Sequence, residues 1–147
     1  MTSDRDAIAD VLLRYSTGID RRDWDLFRSC FTDDCDLDYG EIGSWRGAAA
    51  FTEVFTALHA PLGHTMHSLS NIDIRLDGDG DGDRARARTY VNALIMSVDG
   101  RSGVTAHGFY DDDLVRTAGG WRIARRHFTS VHTGSVGAPA DAAGGGS

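Results

Sequence analysis

Hydrophobic spacing in this chain changes period once, near His64, and that change limits the folds open to it. Before it, apolar residues recur every three to four positions; after it, they alternate with polar ones. Ile8, Val11, Leu12, Tyr15 and Ile19 form one stripe at helical spacing, which predicts a first helix over about residues 4 to 19 with Ser3 or Asp4 as its N-cap. A shorter helix is expected from Trp24 to Cys30, capped by Asp23 and burying Leu26, Phe27 and Phe31. Phe31 to Tyr39 then reads as a strand and Gly43 to Arg46 as a short edge piece. A third helix, Ala48 to Leu58, carries Phe51, Val54, Phe55 and Leu58 on one face. It stops before Pro61, because the residue ahead of a proline is pushed out of the helical region. From His64 onward four segments read as strands: His64 to Leu76, Arg84 to Val98, Val104 to Arg116 and Trp121 to Val131. Arg84, Arg86 and Arg88 alternate with Ala85, Ala87 and Thr89, giving one wet and one dry face. Helices first and strands afterwards predict an α+β domain, its three N-terminal helices packed on one face of a curved, mostly antiparallel sheet.

Residues 1–133 suffice for one domain, since a chain of 147 residues buries roughly two-thirds of its unfolded surface and has room for a pocket. Residues 134–147, mostly Gly, Ala and Ser, are expected to be disordered. A formal charge of -7, without clustered cations, argues against nucleic acid or an anionic membrane as partner. All 15 basic residues are arginine, so no lysine amine can form a Schiff base. The amino terminus opens in charged, helix-forming sequence, and no window reaches the roughly eighteen apolar residues of a transmembrane span; a cytoplasmic address is the expectation. Cys30 and Cys35 are too few for a disulfide framework or a zinc site and read as free, part-buried thiols.

Metal and cofactor motifs are weak. His64 and His67 form an H-x-x-H, but three residues along a strand put side chains on opposite faces. Asp77, Asp79, Asp81 and Gly82 imitate the start of a calcium loop, yet the twelfth position is Arg88, and a hairpin tip explains the run better. Neither a Walker motif, nor a G-x-G-x-x-G after a strand, nor a G-x-S-x-G occurs. No cofactor and no metal are expected.

The phrases RYSTGIDRRDWDLFRSCFTDDCDLDYG, SWRGAAAF, HTMHSLSNIDIRLDGD and GFYDDDLVRTAGGWRIARRHF follow one another in the order and spacing of the SnoaL-like branch of the nuclear transport factor 2-like superfamily, which the chain resembles over residues 4–132. That resemblance implies a cone in which three helices close a strongly bent sheet over an apolar pocket, and frequently a dimer through the sheet. The superfamily hosts dehydratases, dehydrochlorinases, isomerases, polyketide cyclases, epoxide hydrolases and binding domains, so fold does not choose among them.

Similarity to scytalone dehydratase and hexachlorocyclohexane dehydrochlorinase points to two residues. In both, a first-helix aspartate orients a strand histidine that removes a substrate proton, and the matching positions here are Asp20 and His67. The pairing is physically reasonable, because a carboxylate at a helix C-terminus is disfavoured by the macrodipole and gains from an imidazole N–H. The plainer alternative is that Asp20 caps the turn into the second helix while His67 hydrogen-bonds within the core. Tyr15, on the inner helix face, either donates to a substrate carbonyl or packs. Asn92 and His107, in mid-strand, are candidate substrate contacts because scytalone dehydratase carries an asparagine and a second histidine, although not strand for strand. Arg116 and Arg125 read as surface or dimer-contact charges, and Trp24, Trp45 and Trp121 as packing residues. Tyr90, Phe109 and Phe128 beside alternating arginines make the outer sheet face too apolar for a fully wetted surface, so a homodimer through it is expected. Together these imply a cofactor-independent lyase, dehydratase-like, or an isomerase acting on a small, largely apolar cyclic compound with His67 as general base. A polyketide-type cyclase using the same dyad, or a non-catalytic module for ligand binding or dimerisation, are the alternatives.

Overall fold

The computed structural model describes residues 2–78 and 82–137. Helix α1 (Asp4–Arg21) starts at Ser3, whose hydroxyl accepts from the Asp6 N–H, and buries Ile8, Val11, Leu12, Tyr15 and Ile19. It ends where Arg22 turns left-handed at φ 57, its N–H reaching back to the Gly18 and Ile19 carbonyls. Helix α2 (Trp24–Arg28) follows at once, capped by Asp23. Gly18 makes that tight corner possible: a Cβ there would lie 2.7 Å from the Phe27 backbone nitrogen. Strand β1 (Phe31–Asp38), a 3₁₀ turn (Gly40–Ile42) and strand β2 (Ser44–Arg46) lead into helix α3 (Ala48–His59). After α3 the described residues contribute four strands joined by turns: β3 (Thr65–Leu76), β4 (Arg84–Met96), β5 (Ser102–Thr117) and β6 (Gly120–Gly137).

The six strands form one open mixed sheet in the order β2-β1-β6-β5-β4-β3, with three helices packed on it. All pairings are antiparallel except β1 with β6, which is parallel. That exception lays the last strand beside the first, within a sheet whose edges are β2 and β3. Irregularities in register bend the sheet. In β3 the register slips between Ser70 and Asp73, with Asn71 at φ 50, so the strand turns while Ile72, Ile74 and Leu76 stay on the core side. Between β5 and β6 it slips next to Gly108, where a Cβ would meet the Thr129 carbonyl oxygen at 2.1 Å.

The core between helices and sheet is aromatic. Phe27, Phe31, Phe51 and Phe55 stack in a chain, with the Phe51 and Phe55 centroids 4.3 Å apart. Trp24 packs on Phe27, Trp45 on Phe51, and Trp121 is buried under the Arg116 guanidinium. Cys30 and Cys35 are both free and buried, and burial raises each thiol to about 11. The sequence boundary at residue 133 falls inside β6, which pairs with β5 through Gly137; residues 138–147 lie outside the described residues. So do residues 79–81 of the Asp/Gly run, although the Asp77 N–H to Arg84 carbonyl bond joins β3 to β4 across it. Among the described residues no helix is long and apolar enough to cross a membrane.

Candidate active site

Asp20 lies in the last turn of α1 and His67 is the third residue of β3, and the contact of helix end with strand brings them together. Asp20 Oδ1 is 2.7 Å from His67 Nδ1, while Oδ2 accepts the backbone N–H of the same histidine at 2.8 Å. A carboxylate can only accept here, so Nδ1 carries hydrogen and the neutral ring presents its lone pair at Nε2. The His67 side chain is 8% exposed and that of Asp20 25%.

Two residues that the sequence did not single out hold this carboxylate. Arg22 donates to the Ile19 carbonyl, the Gly63 carbonyl and Thr65 Oγ1, at 2.7 to 2.8 Å. Since Arg22 can only donate, Thr65 accepts from it and turns its own proton to Asp20 Oδ1, 3.0 Å away. Two of these three bonds, to Gly63 and Thr65, tie the end of α1 to the start of β3, while the third folds the Arg22 side chain back onto the helix end. Burial alone would push the Asp20 carboxyl up. The bonds from His67 and Thr65 outweigh it and hold the group below the usual carboxylate range.

His67 lines a cavity of about 190 Å³ between α1, α3 and the inner face of the sheet. Ile19, Leu58, Leu62, Val91 and Ile95 form apolar walls, and the Tyr15, Tyr39 and Tyr110 rings line it too. Tyr15 Oη lies 2.9 Å from Tyr39 Oη. Behind them Arg126 is fully buried, paired to Asp112 at 2.7 and 2.9 Å, with its guanidinium 4.4 Å from the Tyr15 ring and 3.8 Å from the Tyr110 ring. Arg126 also donates to Tyr39 Oη at 3.4 Å. Burial raises all three phenols above their ordinary value, so they remain protonated donors. His59, at the end of α3, lines the cavity as well.

The fold agrees with what comparison with known proteins finds. The model of the SnoaL-like domain matches residues 1–127. The chain belongs to the SnoaL-like family. It is 35% identical over 127 residues to the uncharacterized protein Rv2910c of Mycobacterium tuberculosis (strain ATCC 25618 / H37Rv), covering 84% of this chain and 83% of that protein. A candidate scytalone dehydratase from Novosphingobium aromaticivorans DSM 12444 has a similar structure, with a TM-score of 0.79 at 23% identity, covering 90% of this chain and 87% of that one. The hexachlorocyclohexane dehydrochlorinase LinA-type3 from Novosphingobium barchaimii LL02 gives 0.78 at 18% identity, over 90% of this chain and 89% of that one. At such identities these two likenesses speak to the fold alone.

Not every candidate of the sequence reaches the cavity of this SnoaL-like domain. Tyr15 does; Asn92 and His107 do not. They face each other on the opposite side of the sheet, Asn92 Oδ1 2.6 Å from His107 Nδ1, and so are not contacts of this cavity. Period-two alternation is the reason: Asn92 shares the parity of Arg84, Arg86 and Arg88, while its neighbours Val91 and Ala93 point inward. Phe128, read as an outer-face residue, instead lines the cavity against Tyr39 and Tyr110. His64 is exposed whereas His67 points inward, and among the described residues no three His, Cys, Asp or Glu side chains cluster so as to hold a metal ion. Arg116 bridges Asp4 and Asp83 at the surface. Of the residues the sequence reading missed, Tyr39 follows the inward parity of Cys35 and Leu37, which is readable, whereas Arg126 breaks that of Trp121 and Ile123, because the register with β5 slips between them. His59 falls four residues after Phe55, on the apolar face of α3, and that spacing is the signal that could have found it.

Proposed function

We propose that this SnoaL-like domain is a cofactor-independent lyase, dehydratase-like, acting on a small, largely apolar ring compound, with His67 as general base and Asp20 as its orienting partner. The observation that carries the reading is the Asp20–His67 contact in the wall of a small apolar cavity. His67 Nε2 takes a proton from a ring carbon beside a carbonyl or opposite a leaving group. The C–H electron pair becomes the new double bond, the bond to the leaving oxygen breaks, and the departing hydroxide takes the proton from the His67 imidazolium to leave as water. Asp20, kept anionic by its donors, stabilises the imidazolium that forms. Acid–base assistance of this kind contributes about a hundred- to ten-thousand-fold, and a tyrosine hydroxyl aimed at the substrate oxygen adds stabilisation that a dry site strengthens. The volume suits one ring, since cavities of about 150 Å³ accept benzene. Two neighbours of the fold bear the names of a dehydratase and a dehydrochlorinase, which favours elimination over isomerisation or cyclisation.

The test is turnover of a panel of hydroxylated cyclic ketones, followed by mass loss of water. His67→Ala is expected to abolish turnover with the fold intact, and Asp20→Asn to lower kcat while the ligand still binds. A His67→Ala variant with undiminished turnover refutes the assignment, and a product of unchanged mass with a rearranged or closed ring moves it to isomerase or cyclase.

A further inference from the structure

The His59 ring takes no part in the dyad, yet it lines the same cavity as His67. It is 8% exposed and is wedged between Trp24 and Phe55, with ring centroids 5.6 and 5.5 Å away. Its Nδ1 lies 2.7 Å from the Phe55 carbonyl oxygen. A carbonyl has no proton to give, so Nδ1 carries the hydrogen and the neutral ring keeps a lone pair at Nε2. That nitrogen hydrogen-bonds to no protein group among the described residues. Burial is the chief influence on the ring, and with the nearby Arg22 charge it makes His59 harder to protonate despite the Phe55 bond and Asp20. At neutral pH the ring therefore brings a fixed acceptor to the cavity lining, flanked in the chain by Leu58 and close to Leu62.

The other polar groups lining the cavity are placed differently. Tyr15 and Tyr39 hydroxyls engage each other, and Tyr39 also accepts from Arg126. The Tyr110 phenol lines the cavity as a further donor, and His67 Nε2, the other imidazole lone pair in the pocket, is in the proposed function reserved for a carbon-bound proton. A ligand without a donor would leave His59 Nε2 dry and unpaired, which a hydroxyl would relieve. We propose that His59 Nε2 accepts a hydrogen bond from a ligand hydroxyl, so that the cavity selects hydroxylated single-ring compounds over hydrocarbons of the same shape. This rests on the cavity being a small-ring site, as proposed above, and does not need Asp20 and His67 to be catalytic.

Binding of phenol and of toluene, which match in shape, to the full chain separates the cases. Affinities come from NMR titration. In the unaltered protein phenol is expected to bind more tightly, and His59→Leu to shrink the phenol-to-toluene preference by about ten-fold, as one buried hydrogen bond implies, with toluene affinity kept as the sign of an intact cavity. Phenol, and not toluene, should also move the ¹⁵N signal of His59 Nε2 in the unaltered protein, a readout that does not depend on the variant folding. A preference unchanged in His59→Leu, or lost instead in His67→Leu, or a His59 ¹⁵N signal indifferent to phenol, overturns the assignment while the small-ring reading stands. If neither compound enters, the small-ring reading falls and this inference with it. If phenol binds through His59 but no hydroxylated ketone is turned over, the lyase proposal fails alone.

Discussion

Replacing Asp112 by asparagine removes the counter-charge of a fully buried cation while keeping nearly the same shape. Both side chains of the Arg126–Asp112 pair are 0% exposed, and the guanidinium donates through Nε and Nη2 at 2.7 and 2.9 Å. Burial alone would lower the Arg126 pKa, but the Asp112 carboxylate beside it holds it well above the ordinary value, so arginine stays charged. With a neutral amide in place of the carboxylate, one amide oxygen and the Tyr15 and Tyr110 faces are left to stabilise a charge that water cannot reach. Breaking a buried pair in this one-sided way costs about 3–5 kcal/mol, a large part of the roughly 5–15 kcal/mol that holds a small domain together. Taking about 4 kcal/mol and a urea dependence of about 2 kcal/mol per molar, the unfolding midpoint should fall by about 2 M urea. Equilibrium urea unfolding followed by far-UV circular dichroism measures this, with the near-UV tyrosine signal reporting on Tyr15, Tyr39 and Tyr110. The double change Asp112→Leu with Arg126→Met removes both charges and should lose much less than the single change. A loss below about 1 kcal/mol for Asp112→Asn, the scale of an exposed ion pair, would show that the pair is not the dry anchor of the cavity described above.

Other outcomes follow from the same structure. Gly18→Ala should lower the Tm, because a Cβ 2.7 Å from the Phe27 backbone nitrogen forces α2 outward at a cost of about 1–3 kcal/mol, more than the roughly 1 kcal/mol of helix propensity that alanine adds; a raised Tm would show that α2 yields freely. His59 is depressed below its ordinary 6.5, so the unfolded chain takes up its proton first: the stability is complete above about pH 6.5 and is lost as pH falls through the folded value. His59→Gln should flatten that part of a stability–pH curve, and an unchanged slope would refute the assignment. Asp20 is lowered too, so its contribution is present above the unfolded carboxyl value and fades as pH falls towards the folded one; Asp20→Asn should remove that acid limb when unfolding is followed from about pH 5 downward. We propose a homodimer through the outer sheet face, where Tyr90 is 46% and Met66 60% exposed; light scattering should return twice the chain mass, and a monomer at micromolar concentration would refute it.

Much of the local structure is legible in the chain because it is set by near neighbours. The stripe Ile8, Val11, Leu12, Tyr15, Ile19 fixes the phase of α1, Ser3 and Asp23 carry the oxygens that cap two helices, and alternation in residues 84–93 separates an arginine face from an alanine one. The positions of Asp20 and His67 were readable only through resemblance, since nothing local in the sequence says that residues so far apart meet. The inward parity of β4 is readable too, and the face that Asn92 shares with Arg84 to Arg88 keeps it out of the cavity.

Tertiary structure decided what depends on contacts between distant segments. The parallel pairing of β1 with β6 joins the first strand to the last, a choice that no local pattern encodes. The slip at Asn71 reverses which parity of β3 faces inward, so alternation counted from either end gives the wrong face at the other. Arg22, Thr65 and Gly63 carry no distinguishing spacing, and become a clasp on Asp20 only when α1 is laid against β3. A buried arginine looks, in sequence, like any other of the fifteen basic residues; that Arg126 lies under three tyrosines against Asp112 is settled by the register of β5 with β6, which sets those two residues opposite each other. What each segment can be is written in its own residues because propensity and periodicity are local, while the cavity and its polar groups arise where segments distant in the chain line one pocket.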